Sequence, residues 1–179
     1  CKKEPADSDN DGIIDAEDQC PELVGLAQYQ GCPAYTLTVN VNPSEGGSVS
    51  PSSGEHKHGT SVSLTATAAG EYLFESWSGD ATGTTNSTSV SMMSNKTVTA
   101  NFVKKKYPLT IEIDGEGSVD ETVIKAGLAT DYNSGTIVEL AANPKEFWKF
   151  VKWEGDLTGE VNPSQITMDG PKNVKVVFE

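Results

Sequence analysis

The heptapeptide FESWSGD at Phe74–Asp80 recurs as FVKWEGD at Phe150–Asp156, 76 residues further along the chain. An earlier pair, YTLTVNV at Tyr35–Val41 and YPLTIEI at Tyr107–Ile113, is spaced by 72 residues. The two offsets differ because the second copy carries a net four-residue insertion between its first strand and Gly135. Since self-similarity at a fixed period is the signature of repeat architectures, the sequence predicts two tandem copies of one small module.

Within each copy, apolar residues alternate with polar ones. In the first copy the alternation covers residues 37–41, 62–66 and 98–102. A period of two is typical of half-buried β-strands, and the Gly-Gly, Ser-Gly and Asn-Pro pairs between the runs favour turns. We therefore predict a mainly β protein with two small antiparallel β domains, each of about five short strands, and no amphipathic helix of the usual length.

The Phe-x-x-Trp spacing interrupts this alternation, because Phe74 and Trp77 are three residues apart. A β-bulge or turn near Ser76, or near Lys152 in the second copy, would bring the phenylalanine and the tryptophan into one core. We predict that Trp77 and Trp153 are core residues, with a sugar-stacking platform as the alternative role.

Charge and composition set the domain boundaries and exclude some partners. The chain has 179 residues and a net charge of -13, from 26 acidic and 13 basic side chains. Three consecutive lysines at 104–106 separate the copies and predict a solvated linker. The predicted domains are an acidic segment (residues 1–34), module 1 (35–103) and module 2 (107–179). The negative charge argues against nucleic acid as a partner.

The acidic segment contains a calcium-loop pattern, here called the acidic loop (residues 7–18). Acids occupy positions 1, 3, 5, 9 and 12 of this loop, and glycine occupies position 6. Calcium takes roughly six to eight oxygen ligands, and this spacing can wrap a loop around one ion. A solvated acidic tail is the alternative. The predicted ligands are the carboxylates of Asp7, Asp9, Asp11 and Asp18, the backbone carbonyl of Ile13, and Asp15 directly or through water.

All three cysteines lie in the acidic segment. Cys20 and Cys32 each precede a proline, and their arrangement predicts one small disulfide loop in an oxidising compartment, with Cys1 unpaired. A cysteine at the first position is typical of a processed bacterial lipoprotein, in which that residue carries the lipid. We therefore expect lipidation of Cys1; a stray free thiol is the alternative.

Two family resemblances follow from these motifs. Residues 35–179, apart from the linker, resemble the divergent internalin-B-type bacterial repeats in their Tyr-x-Leu, Gly-x-Val, Gly-Thr-x-Val, Phe-x-x-Trp-x-Gly-Asp and Val-x-Ala/Val-x-Phe motifs. That resemblance implies tandem extracellular β modules that act as spacers or adhesive domains without shared catalytic residues. Residues 7–33 resemble a thrombospondin type 3 repeat, which implies calcium binding and a disulfide between the two Cys-Pro motifs. Asp18 departs from the glutamate that closes an EF-hand loop.

Two further groups of side chains are weaker candidates. His56 and His58 would share one side of a strand and could bind a transition metal, but a polar hairpin tip is the preferred interpretation. Four acids of module 2 could form a second calcium site, yet they lack the loop register, and we expect them to coat an exposed hairpin. These acids are Asp114, Glu116, Asp120 and Glu121.

Together these features predict a calcium-stabilised surface lipoprotein without enzymatic activity. A lipid on Cys1 would anchor it in the bacterial outer membrane. The two modules would act as a structural spacer or as an adhesion module that binds a surface protein or a glycan. The alternatives are an accessory subunit of an outer-membrane transport or secretion complex and the non-catalytic part of a larger secreted enzyme.

Overall fold

A computed structural model describes residues 5–123 and 132–179. The chain divides into two compact units, Cys1–Val103 and Lys104–Glu179. The acidic segment therefore belongs to the same unit as module 1. No helix among the described residues is both long and apolar enough to cross a membrane.

Module 1 is built from two β-sheets that enclose one core. Its strands are β1 (Ala34–Asn42), β2 (Gly47–Ser50), β3 (Gly54–Lys57), β4 (Ser61–Ala68), β5 (Tyr72–Gly79), β6 (Ser87–Ser91) and β7 (Lys96–Lys104). One sheet has the order β3-β1-β7-β5 and the other the order β2-β4-β6. Strand β4 alternates between exposed and buried residues along most of its length, as the period of two predicts.

Module 2 repeats this plan. Its strands are β8 (Lys106–Tyr107), β9 (Leu109–Asp114), β10 (Gly117–Val123), β11 (Tyr132–Asn133), β12 (Thr136–Pro144), β13 (Phe150–Gly155), β14 (Ser164–Met168) and β15 (Lys172–Phe178). They form sheets of order β13-β15-β9 and β10-β12-β14 and the short pair β11-β8. The expectation of a mainly β chain with two tandem small β domains is confirmed.

Each module differs from a purely antiparallel design in one respect. Its first long strand pairs in parallel with its last, β1 with β7 and β9 with β15. Parallel neighbours need a long crossover connection, and here the intervening strands supply it. The described part of module 1 also has seven strands rather than about five. The short strands β2 and β3 lie between the long strands β1 and β4 and account for the difference.

The prediction that both repeated tryptophans are core residues is confirmed. Trp77 is 3% exposed and Trp153 is 1% exposed. Each packs against the phenylalanine of its motif, with ring centroids 5.3 Å apart in both modules. The pairing of β13 with β15 shifts register between Phe150 and Lys152, where the spacing predicts a bulge. Neither ring is therefore available as a sugar-stacking platform.

Candidate metal site

The acidic loop gathers three of the predicted ligands. One carboxylate oxygen from each of Asp7, Asp9 and Asp11 lies within 4.8 Å of the others. The loop is shaped locally: the Asp7 carboxylate accepts hydrogen bonds from the amides of Asn10 (2.8 Å) and Gly12 (3.1 Å). Gly12 has a φ of 94°, a conformation that glycine adopts without steric cost. Short-range hydrogen bonds thus turn three acids towards one another.

Asp9 and Asp18 each have one buried carboxylate oxygen without a partner. Oδ1 of Asp9 accepts from the Asp11 amide (3.1 Å) and Oδ1 of Asp18 from the Cys20 amide (2.6 Å), whereas both Oδ2 atoms are buried and unbonded. Burial raises the pKa of the Asp9 carboxyl. The Asp11 amide opposes this rise in pKa, and the negative charges of Asp11, Asp18 and Asp7 add to it.

These oxygens fit a hard divalent cation. A buried carboxylate oxygen that has left water without gaining a partner is unfavourable, and neighbouring carboxylates repel one another. A cation among them would remove both penalties, and calcium prefers oxygen ligands of this kind. Asp7, Asp9 and Asp11, together with the buried oxygen of Asp18, are therefore the residues that would hold a calcium ion.

The other two predicted ligands have different surroundings. The Asp15 carboxylate accepts hydrogen bonds from the amide (2.8 Å) and hydroxyl (2.9 Å) of Ser8, and its amide donates to the Ala6 carbonyl (2.9 Å). Asp15 thus closes the base of the loop. The Ile13 amide donates to Oδ1 of Asp11 (2.9 Å), and none of the described hydrogen bonds uses the Ile13 carbonyl. Cys1, the predicted lipidation site, lies outside the described residues.

The Cys20–Cys32 disulfide is formed, as predicted, with the two Cα atoms 5.0 Å apart. The segment it closes folds back onto the acidic loop, because the Gly25 amide donates to Oδ2 of Asp11 (3.1 Å). Gly31, with a φ of 81°, lies directly against the Asp18 carboxylate, and a Cβ atom there would overlap it. Gly31 directly precedes the second Cys-Pro motif in the sequence, whereas no sequence motif marks Gly25.

The disulfide segment is also joined to module 1. The His58 amide donates to the Pro33 carbonyl (2.8 Å), and the Lys57 ammonium donates to the Gln19 side chain. Both bonds link the acidic segment to strand β3 or to the residue that follows it. The residues that flank the disulfide segment are thereby held against the edge strand β3.

The four acids of module 2 are not gathered into one cluster. Each carboxylate has its own protein partner: Asp114 with Lys175 (2.7 Å), Glu116 with Lys145 (3.1 Å), Asp120 with the Asn143 amide (2.9 Å) and Glu121 with the Tyr132 hydroxyl. Exposed pairs of this kind contribute little to stability. Their arrangement agrees with the preferred interpretation of a coated hairpin.

The two histidines lie close to the acidic segment but without further ligands. Nε2 of His56 and Nδ1 of His58 are buried without hydrogen-bond partners, and the His58 ring packs edge-on against Tyr35 at 5.8 Å. Among residues 5–123 and 132–179, the only group of three or more candidate ligands with closely spaced donor atoms is Asp7, Asp9 and Asp11. Within this described part of the chain, the histidines therefore have no third ligand for a transition metal.

One exposed feature is absent from the sequence predictions. Phe147 is 94% exposed and the adjacent Trp148 is 37% exposed. We call these two residues the aromatic tip. A comparison of the two copies could have indicated this feature, because the Phe-Trp pair aligns with Glu71 and Tyr72 of module 1 at the offset of 76.

Fold and site together define a tandem β-repeat protein, preceded by an acidic loop and a segment closed by a disulfide. The model of the family described as "Divergent InlB B-repeat domain" matches residues 37–106 and 107–179, and the chain belongs to this family. Neither the curated proteins nor the solved structures contain a significant match.

Proposed function

We propose that the protein is a calcium-stabilised spacer on the bacterial surface, in which the acidic segment joins a lipid anchor to two β modules with a binding role. Membership of the repeat family supports a structural or surface-binding module. The chain has a structural rather than a catalytic role in this proposed function. The calcium part rests on the buried, unpartnered oxygens of Asp9 and Asp18.

The construction of the acidic segment supports a need for the ion. Cys32 is the only buried hydrophobic residue among the described residues of the acidic segment. A segment without a sizeable core cannot offset its chain entropy by apolar burial, so metal and disulfide would act as staples. A calcium ion that binds the folded loop would stabilise it by mass action.

Removing two loop charges tests the calcium site. We expect the double variant Asp9→Asn with Asp11→Asn to bind calcium at least tenfold more weakly, about 1.4 kcal/mol, because two anionic ligands become neutral. Calcium titration calorimetry measures the change. The matched control, Asp114→Asn with Glu121→Gln, also removes two charges and should keep the wild-type affinity. Equal affinities in the two double variants would contradict the site.

Limited proteolysis tests whether calcium is structural. In the wild type, chelation should accelerate cleavage within residues 7–33 and leave the two module cores protected, because each module has its own core. The control variant should respond to chelation like the wild type. Cleavage that is the same with and without calcium would refute the structural role.

A separate prediction concerns the proposed anchor. Native protein should carry acyl groups on the Cys1 peptide by mass spectrometry, and Cys1→Ser should move from the membrane fraction to the soluble fraction of the native host. The loss would follow from removal of the acyl chains, whose burial contributes about 0.8 kcal/mol per methylene. A Cys1→Ser protein that stays in the membrane fraction would exclude lipid anchoring at this residue.

A further inference from the structure

The aromatic tip occupies the turn between β12 and β13 of module 2. Phe147 has a φ of 72°, a left-handed conformation that is unfavourable for a bulky side chain. Its ring is 94% exposed, so no burial in the folded chain offsets either the backbone strain or the hydration of the ring. Strained residues and exposed aromatic groups both concentrate at binding sites.

Module 1 provides an internal reference for this turn. The two turns share the same backbone hydrogen bond, from Tyr72 to Ala69 and from Trp148 to Lys145, each 2.9 Å long. Glu71 occupies the position of Phe147, but its φ is not positive. The strain and the exposed phenylalanine are therefore not required by the fold.

The second aromatic position is also more exposed in module 2 than in module 1. Tyr72 is 9% exposed, and its hydroxyl donates to the Glu45 carboxylate (3.2 Å). Trp148 is instead 37% exposed and lies over Gly115, where a Cβ atom would come within 2.8 Å of the indole ring. Module 2 thus presents at its surface an aromatic pair whose counterpart in module 1 is an acid and a buried tyrosine.

A shallow groove adjoins the aromatic tip. It is lined by Glu116, Gly117, Ser118, Asn143, Pro144 and Lys145. The Lys145 amide donates to the Glu116 carbonyl (3.1 Å), and their side chains form an ion pair. The charges of that pair cancel. Beside the partly exposed indole, the groove therefore offers the Ser118 hydroxyl, the amide oxygen of Asn143, whose nitrogen is bonded to Asp120, and the Glu116–Lys145 ion pair.

We propose that the aromatic tip and this groove bind an uncharged glycan of hexopyranose units. The C–H face of a pyranose can pack on an aromatic ring while its hydroxyl groups bond to the few polar atoms of the groove. Small-ligand sites usually combine apolar lining with a few polar groups in this way. The net charge of -13 disfavours anionic glycans and anionic membrane surfaces. This inference deepens the proposed surface-binding role and rests on it.

Affinity gel electrophoresis of the full chain tests the inference. Glucomannan, xyloglucan, galactomannan, dextran and starch would each be cast in a native gel with calcium present. We expect at least one to retard the wild type, and Phe147→Ala to weaken that binding about tenfold. Phe147→Glu, which installs the module 1 residue, should abolish it. Leu73→Ala, an exposed apolar residue after the corresponding module 1 turn, should bind like the wild type.

Tryptophan fluorescence gives a second readout at the same residues. Trp77 and Trp153 are buried, so acrylamide should quench mainly Trp148. The retarding polysaccharide, added as its hexasaccharide, should protect that emission in the wild type and in Leu73→Ala but not in Phe147→Glu. Normal far-ultraviolet circular dichroism of each variant shows that binding is not lost through unfolding.

Three results would overturn the inference. These are no retardation by any of the five polysaccharides, equal retardation of wild type and Phe147→Ala, and Phe147-dependent sedimentation with phosphatidylcholine vesicles in the absence of glycan binding. The last result would assign the tip to a membrane surface. The calcium proposal concerns residues 7–33 in the other unit, so chelation results and glycan results can fail independently.

Discussion

Replacing Trp153 by alanine is expected to unfold module 2 at temperatures where module 1 remains folded. The side chain is buried, and its Nε1 donates to the Val161 carbonyl (2.9 Å). Truncation of a buried tryptophan costs about 3–5 kcal/mol, which is a large part of the roughly 5–15 kcal/mol that stabilises a typical domain. Differential scanning calorimetry should show one transition shifted down by about 10–30 °C.

The matched control is Phe147→Ala, which truncates an aromatic ring that is almost fully in solvent. Its effect on stability should lie within about 0.5 kcal/mol, as for most surface substitutions. The transition that arises from module 1 should be unchanged in both variants, because the core of module 1 contains its own tryptophan, Trp77. If Trp153→Ala lowers stability no more than Phe147→Ala does, the core assignment is wrong.

The second large effect is expected at Gly31. A Cβ atom at this position would overlap the Asp18 carboxylate, so Gly31→Ala must displace a proposed calcium ligand. It must also hold alanine at a φ of 81°, which costs about 1–2 kcal/mol. We expect calcium affinity to fall at least tenfold and cleavage within residues 7–33 to increase even at saturating calcium.

Gly59→Ala separates displacement of Asp18 from backbone strain. Gly59 has a φ of 76°, close to that of Gly31, but a Cβ atom there meets nothing within 4 Å. This control should lose a similar amount of stability through strain while it keeps wild-type calcium affinity. Calorimetric titration of both variants is the measurement. A parallel loss of calcium affinity in both would mean that strain, rather than the overlap with Asp18, weakens the site.

Much of the fold could be predicted from local sequence. The period of two identifies the strands, since neighbouring side chains on a strand point to opposite faces and only one face is buried. The three-residue spacing of Phe74 and Trp77 requires an irregularity before both rings can enter one core, and both are packed there. The cysteine spacing predicts the Cys20–Cys32 bond that the structure contains.

The strand partners could not be predicted in the same way. Leu37 lies beside Lys96 in a parallel pair, although nearly a whole module separates them in the chain. Alternation shows which face of a strand is buried but not which strand lies next to it. That choice depends on how two complete sheets close over one core, which involves residues distant in sequence.

The arrangement of the acidic loop could likewise be predicted only in part from the sequence. The register of acids and glycine in residues 7–18 predicts the gathering of Asp7, Asp9 and Asp11, because their turns are made by hydrogen bonds between close neighbours. The structure alone shows that Asp15 bonds Ser8 instead of lying in that cluster. It also shows that Gly31 packs on Asp18, a contact that exists only after the disulfide segment has folded back.

The aromatic tip shows most directly what the sequence could not decide. The repeat places Tyr72 and Trp148 at equivalent positions, and an aromatic residue at or just before the start of a strand is ordinarily expected in the core. Tyr72 is buried and bonds Glu45, whereas Trp148 lies on Gly115 and remains partly in solvent. Local pattern determines the strand and its buried face. Exposure at a turn is decided by the segments that pack over it, because burial depends on neighbours supplied by the tertiary fold.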